Sequence, residues 1–173
     1  MIRPYVLAID PGTKASGVCL VRRDDLKPLL HEKIENSELV QKMTDALLPY
    51  MSDHIQLVIE RMHNPMSADS NVFLTCEWIG RFDVALQQVF KGETAYLFRY
   101  QEYKNLCANI YSRNDKGIKS ALVDRFAYGV RNYGKGTKDA PGWFYGFSAD
   151  VWSAYAIAVT YIDMALAKEI TVF

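Results

Sequence analysis

The chain has 173 residues, of which 50% are hydrophobic and 13% aromatic, and this composition excludes a disordered or low-complexity protein. Its formal net charge is zero, which argues against an indiscriminate binder of nucleic acid, and no apolar run approaches the roughly 20 residues that span a bilayer. Cys19, Cys76 and Cys107 form no paired motif, and the N-terminus lacks the pattern of a secretory signal. We therefore expect one domain over residues 1–173, with reduced thiols, in the cytoplasm.

The first part of the chain predicts a sheet with one helix inserted. Short apolar or alternating segments predict strands over 5–10, 16–22 and 28–34, and the turns between them are short enough for antiparallel hairpins. Ser37 is a plausible N-cap for a helix over 38–52. The apolar run 55–60 predicts a fourth strand, which follows a helix and therefore adds in parallel by a crossover.

The second part of the chain predicts mostly helices. In chain order we expect a helix over 70–90, a fifth strand over 94–98, helices over 101–110 and 117–132, a mobile loop rich in glycine over 133–146, and a final helix over 149–168. The predicted fold class is α/β. It is a five-stranded mixed sheet, with three antiparallel strands and two added in parallel, covered by helices on both faces.

Three acidic residues stand at element ends that this topology can bring together. Asp10 ends the first strand, Glu60 ends the fourth, and Asp150 lies at the start of the last helix. Each has a plain structural alternative, since acids at strand ends form turns and an aspartate at a helix start is a common N-cap. If the three converge, their oxygen ligands suit Mg²⁺ or Mn²⁺, which support phosphodiester hydrolysis.

Positive charge is concentrated in one stretch of the chain. Residues 99–138 contain nine basic and three acidic residues, while the remainder contains 11 basic and 17 acidic residues. This asymmetry indicates a basic surface next to an acidic region, although an ordinary solvated helical face would have the same composition.

The glycine-containing segment IDPGTKASG admits another class of protein. It is not a P-loop, because the GxxxxGK[ST] pattern is absent. It resembles the first phosphate loop of actin-like and sugar kinases, but those proteins need a second domain of similar type, which we do not expect in 173 residues.

Five segments, in order, resemble the RuvC-type Holliday junction resolvases of the ribonuclease H-like superfamily. IDPGTKASGV (9–18) is similar to their first motif, and LVIERM (57–62) to the strand that ends in their catalytic glutamate. Residues 66–86 resemble the helix that carries the dimer contact, and NDKGIKSALVDRF (114–126) the basic segment leading into a helix. SADVWSAYAIA (148–158) resembles the last motif, an acid-bearing helix start followed by small residues.

The resemblance implies an activity and a set of partners. Asp10, Glu60 and Asp150 would be the catalytic and metal-binding residues, with two Mg²⁺ or Mn²⁺ ions per site. A homodimer would bind a four-way DNA junction and nick two strands symmetrically, as an endonuclease of DNA recombination and repair. Branch-migration machinery is a possible partner.

The resemblance also assigns contacts outside the acids. Lys104 and Lys119 match basic positions near the family's active-site cleft, and His63 stands where related proteins place an aromatic residue that enters the junction. Further candidates for DNA backbone contacts are Arg113, Lys116, Arg131, Lys135 and Lys138. Candidates for the dimer face are Met66, Phe73 and Trp78.

One departure concerns the last motif, where the family has two ligands three residues apart and this chain has only Asp150. In one alignment Ser153 replaces the second ligand, and in the other, which we prefer, Phe147 replaces the first. The departure leaves two alternatives open. One is a junction-binding protein with weakened chemistry, and the other is a related nuclease for forks, flaps or RNA–DNA hybrids.

Overall fold

The computed structural model describes residues 3–51, 54–62 and 69–170, with the side chains of 48–51 and 169–170 left out. Its strands are β1 (Tyr5–Asp10), β2 (Ala15–Arg22), β3 (Pro28–Glu35), β4 (Ile55–Glu60) and β5 (Ala95–Leu97). Its helices are α1 (Asn36–Met51), α2 (Ser70–Phe90), α3 (Arg99–Glu102), α4 (Asp115–Phe126) and α5 (Ala149–Ile170), with a π-helical turn at Tyr103–Cys107 and a 3-10 turn at Arg131–Gly134. No helix in the described ranges is long and apolar enough to cross a membrane.

The sheet has the strand order β3-β2-β1-β4-β5, which confirms the predicted mixed topology. The first three strands form antiparallel hairpins, because their connections are too short for a crossover. The fourth strand pairs in parallel with β1, with Ile9 opposite Ile59, and β5 pairs in parallel with β4, with Glu60 opposite Leu97. The carboxyl ends of β1, β4 and β5 therefore lie at one edge of the sheet.

Helices cover both faces of this sheet, as its buried strands require. Side chains alternate along β1, so that Val6 and Ala8 pack into the cluster that contains α5, while Leu7 and Ile9 pack against α1 and α2. Both faces of the central strands are thereby removed from water. This explains why β1 and β4 are almost continuous apolar runs.

The first helix begins at Asn36, so the predicted N-cap at Ser37 is wrong. The reason is a polar contact across the sheet edge. Buried Asn36 accepts a hydrogen bond from Ser16 Oγ at 2.6 Å and donates one to the carbonyl of Gly12 at 2.9 Å. The Gly12 amide in turn donates to Ser16 Oγ at 3.2 Å. This Ser16–Asn36–Gly12 clasp fixes the loop that follows Asp10.

Two helix predictions were too long. The segment predicted as a helix over 101–110 divides into α3 and the π-helical turn, which ends at Ala108 in the left-handed conformation. Helix α4 ends at Phe126 rather than residue 132, because Ala127 leaves helical geometry and Gly129 has a φ of 72°. Both errors arise from backbone conformations that apolar periodicity does not encode.

Residues 133–146 fold back on themselves and are packed, contrary to the expected mobile loop. The amide of Gly142 donates to Lys135 at 2.9 Å, and that of Phe144 donates to Gly134 at 3.1 Å. The Phe144 side chain is fully buried, where its ring contacts Phe147, Trp152 and other aromatic rings. Glycine in this segment permits close backbone approach, since a Cβ on Gly142 would lie 2.2 Å from the carbonyl oxygen of Gly134.

Candidate active site

Asp10 and Glu60 lie side by side at the carboxyl edge of the sheet. They end β1 and β4, which are parallel neighbours, and each side chain acts on the pKa of the other. Burial, followed by the charge of Glu60, raises the pKa of Asp10 to about 8. Burial also raises the pKa of Glu60, and the nearby Arg99 opposes that rise. Because both pKa values are raised, the two buried carboxyl groups do not readily ionise at the same time. An added positive charge would favour their ionised forms.

Helix α5 brings Asp150 to the same edge through a close approach to β2. Gly17 of β2 stands opposite Asp10, and a Cβ on Gly17 would lie 2.2 Å from the carbonyl oxygen of Asp150. Only glycine allows the helix start to come this near the sheet. The side chain of Asp150 forms a 2.6 Å ion pair with Lys33 of β3, and its charge also acts on Asp10.

These acids line a cleft of about 770 Å³. Asp10, Glu60 and Asp150 lie on its wall, and the same wall carries four basic side chains. The basic residues are Arg99, Lys116, Lys119 and Lys135. Acidic side chains with basic side chains around them are the charge arrangement expected for a site that binds a divalent cation together with a chain of phosphates.

The sequence analysis did not identify Arg99 as a site residue. Arg99 lies just after β5, the third of the parallel strands that end at this edge of the sheet. Its Nη1 donates to Glu102 Oε2 at 2.9 Å and lies 3.8 Å from Glu60 Oε2, while its Nη2 pairs with Asp115. The signal was available: β5 is parallel to β4, so the residue after its end faces the same edge as Glu60. Glu102, which is fully buried, had no such signal.

The donor set fits one divalent cation better than a closed metal cage. No three His, Cys, Asp or Glu side chains among the described residues are grouped as a metal site. The Asp10–Glu60 pair nevertheless offers carboxylate oxygens at a buried position, and a hard cation would relieve the unfavourable charge that raises both pKa values. The Asp150 carboxylate is paired with Lys33 and also acts on Asp10 through its charge.

Comparisons with solved structures identify the architecture. The structure titled "T. thermophilus RuvC in complex with Holliday junction substrate" superposes with a TM-score of 0.63 at 14% identity, covering 94% of this chain and 95% of that one. A second structure, of RuvC from Thermus thermophilus, gives 0.63 at 16% identity, covering 94% and 96%. The chain has the RuvC-type fold. No protein-family model matches the sequence, and no curated protein matches it.

Within this RuvC-type fold, both candidates for the altered ligand position border the cleft. Phe147 is only 3% exposed, and its ring packs against His31 at 4.7 Å and against Trp152 at 5.1 Å. Ser153 is half-buried and carries a hydroxyl that can face a ligand. Both positions therefore border the site, and the preferred alignment, in which Phe147 replaces the first ligand, stays a prediction.

The predicted DNA contacts divide into two groups in the RuvC-type fold. Lys116 and Lys119 line the cleft, and the Lys119 ammonium lies 4.1 Å from the centre of the Tyr133 ring. Lys104 and Arg113 are exposed but are not among the residues that line the cleft. His63 lies outside the described residues. Further exposed basic residues are Arg131 and Lys138.

The predicted dimer residues lie on α2 where they are described. Phe73 is 59% exposed, and its neighbour Leu74 is 43% exposed. Trp78 is half-buried and stacks on Phe82 with ring centres 5.6 Å apart. Met66 lies outside the described residues. The outer side of α2 in this RuvC-type fold thus presents apolar surface to solvent.

Proposed function

We propose that this chain is a divalent-metal-dependent endonuclease that cuts four-way DNA junctions, a Holliday junction resolvase of DNA recombination and repair. The observation that carries the proposal is the buried Asp10–Glu60 pair at the sheet edge, with Asp150 lining the same cleft. The fold shared with RuvC supports it, because a RuvC structure was solved with a Holliday junction substrate.

The described side chains can be assigned separate roles in binding metal and binding DNA. Asp10 and Glu60 would hold Mg²⁺ or Mn²⁺, and a second ion would draw on Asp150 once its carboxylate leaves Lys33. When bound, such cations supply the positive charge that promotes attack of water on a phosphodiester. Lys116 and Lys119 would bind the phosphates on either side of the cut, since both line the cleft.

We further propose that the active form is a homodimer. A four-way junction has two-fold symmetry, and two cleavage sites related by that symmetry need two copies of the chain. The exposed apolar residues on α2, with Val84 at 62% exposure, supply a surface that a second copy would cover.

Nicking of a synthetic four-way junction tests this function. We expect Mg²⁺-dependent nicking of the junction, little cutting of a linear duplex with the same sequences, and loss of nicking in Asp10→Asn. Chelation with EDTA should stop the reaction. A panel with RNA–DNA hybrids, flaps and forks completes the test, because preferential cutting of one of these would reject junctions as the substrate.

A second candidate is a junction-binding protein with weakened chemistry. Two observations favour it, namely the serine at position 153 in place of an acid and the ion pair that holds Asp150 against Lys33. It predicts tight binding to junctions without nicking in either Mg²⁺ or Mn²⁺. The same junction assay, combined with a gel-shift measurement, decides between the two functions.

A further inference from the structure

A guanidinium group stands beside the acid pair and is tied down on two sides. The Arg99 side chain is 25% exposed and lines the cleft together with Asp10 and Glu60. One nitrogen contacts Glu102 at 2.9 Å, and the other pairs with Asp115. With both ends of its fork occupied, the side chain cannot swing away from the sheet edge.

Glu102 is a buried acid that is paired with Arg99. Its side chain is 0% exposed, and its Oε1 has no hydrogen-bond partner among the described residues. Burial and the charge of Glu60 raise the pKa of Glu102 to about 9, and Arg99 opposes that rise, so Arg99 is the contact that favours the ionised carboxylate. A buried carboxylate is costly unless it is paired. Glu102 therefore anchors Arg99 from the interior, and Asp115, which is 81% exposed, anchors it from the solvent side.

The distance from Arg99 to Glu60 is long for an ion pair. At 3.8 Å, the guanidinium attracts the Glu60 carboxylate and so influences its orientation. The distance is too long for a hydrogen bond, so the carboxylate oxygens stay available to a cation. The two anchors hold the guanidinium at this distance. An unanchored arginine would close onto Glu60 and compete with any cation for the same oxygens.

We propose that Arg99, restrained by Glu102 and Asp115, is a positioning residue for Glu60: it orients that carboxylate while its fixed positive charge lowers the site's affinity for divalent cations. This role deepens the proposed nuclease function and rests on it. A purely structural Arg99–Glu102 pair would need no contact with Glu60 and no place on the cleft wall, and Arg99 has both.

Mn²⁺ binding in the absence of DNA tests Arg99 and its anchor Glu102, whose replacement should change the affinity in opposite directions. In Arg99→Gln the charge near Glu60 is lost, and we expect Mn²⁺, titrated by electron paramagnetic resonance, to bind about tenfold more tightly. In Glu102→Gln the interior anchor loses its charge, so Arg99 moves toward Glu60 and Mn²⁺ binds more weakly than to the wild type. In a Glu60→Gln background, the Arg99→Gln change should have a smaller effect, because the charge of Arg99 then acts on Asp10 alone of the pair.

Single-turnover nicking at saturating Mn²⁺ supplies the second measurement. We expect Arg99→Gln to nick at least about tenfold more slowly while its junction Kd stays near the wild-type value, since Glu60 is no longer oriented. Arg99→Lys keeps the charge but not the two-point anchoring, so, like Glu102→Gln, it should bind Mn²⁺ more weakly than the wild type and nick more slowly.

Arg125→Gln is the matched control, because Arg125 forms a two-point ion pair with Asp163 and is not among the residues that line the cleft. It should change neither measurement. The proposal is overturned if Arg99→Gln and Glu102→Gln both weaken Mn²⁺ binding, or if neither alters it. If the expected Mn²⁺ pattern appears but the wild type nicks no junction, the positioning role is supported and the proposed function fails.

Discussion

Replacing Gly17 by alanine is the substitution whose effect the structure defines most sharply. The added Cβ would lie 2.2 Å from the carbonyl oxygen of Asp150 and 2.6 Å from its carbonyl carbon, where ordinary contacts are 3.4–4 Å. The start of α5 must therefore move by about 1 Å relative to β2. Overpacking of this kind costs up to about 3 kcal/mol, and removing a glycine from a strand returns about 1 kcal/mol.

The net expectation for Gly17→Ala is a loss of about 2 kcal/mol in the free energy of unfolding, or a fall of about 4–8 °C in Tm for a chain of this size. Because the displaced segment carries Asp150, nicking should fall by up to about 100-fold even well below Tm. Denaturant unfolding and single-turnover nicking at low temperature measure the two effects separately.

Gly80→Ala is the matched control. Gly80 lies within α2, and nothing stands within 4 Å of the position that its Cβ would take. Alanine there should stabilise the chain by up to about 1 kcal/mol. It is a control for stability alone, because Gly80 lies on the same side of α2 as Phe73 and Val84, where we propose the dimer contact. The reasoning fails if Gly17→Ala is as stable as Gly80→Ala and nicks as fast as the wild type.

Three further predictions concern the loop clasp, the pH dependence of stability and the altered ligand position. Asn36→Ala breaks the buried contact with Ser16 and should cost about 1–3 kcal/mol in urea unfolding, and an unchanged midpoint would contradict this. Burial lowers the pKa of His31 in the folded state, so the unfolded chain binds more protons and stability falls as pH drops below about 6.5. His31→Gln should remove that part of the fall, and equal pH profiles for both proteins would refute the assignment. Ser153→Asp adds a carboxylate to the cleft and should lower the Mg²⁺ concentration for half-maximal nicking, whereas an unchanged Mg²⁺ dependence would argue against Ser153 as the ligand position.

The parts of the fold that follow from local pattern could be predicted from the sequence. Short apolar runs ending in Asp10 and Glu60 predict two buried strands, and the helix before the second predicts that it adds in parallel. Connection lengths distinguish hairpins from crossovers, but the pairing of β4 with β1, which brings both acids to one edge, comes from the structure. The predictions from sequence need only nearest-neighbour geometry.

What escaped prediction depends on contacts between distant segments. The burial of Glu102 is determined by Arg99 and the packing around the π-helical turn, and an acid in a helical segment is ordinarily exposed. The pairing of Asp150 with Lys33 depends on how α5 lies across β3, which no periodicity specifies. The same holds for Phe144, which lies in a glycine-rich segment yet packs in the core.

The clasp formed by Ser16, Asn36 and Gly12 joins the first residue of α1 to the loop between β1 and β2. Helix α1 packs on the face opposite α5, yet its first residue holds the backbone that follows Asp10. A substitution deep under α1, at Leu39 or Met43, therefore reaches the loop after Asp10 both through Asn36 and through the β1 side chains in the same cluster. Remote changes on that face should tune cleavage without touching the cleft.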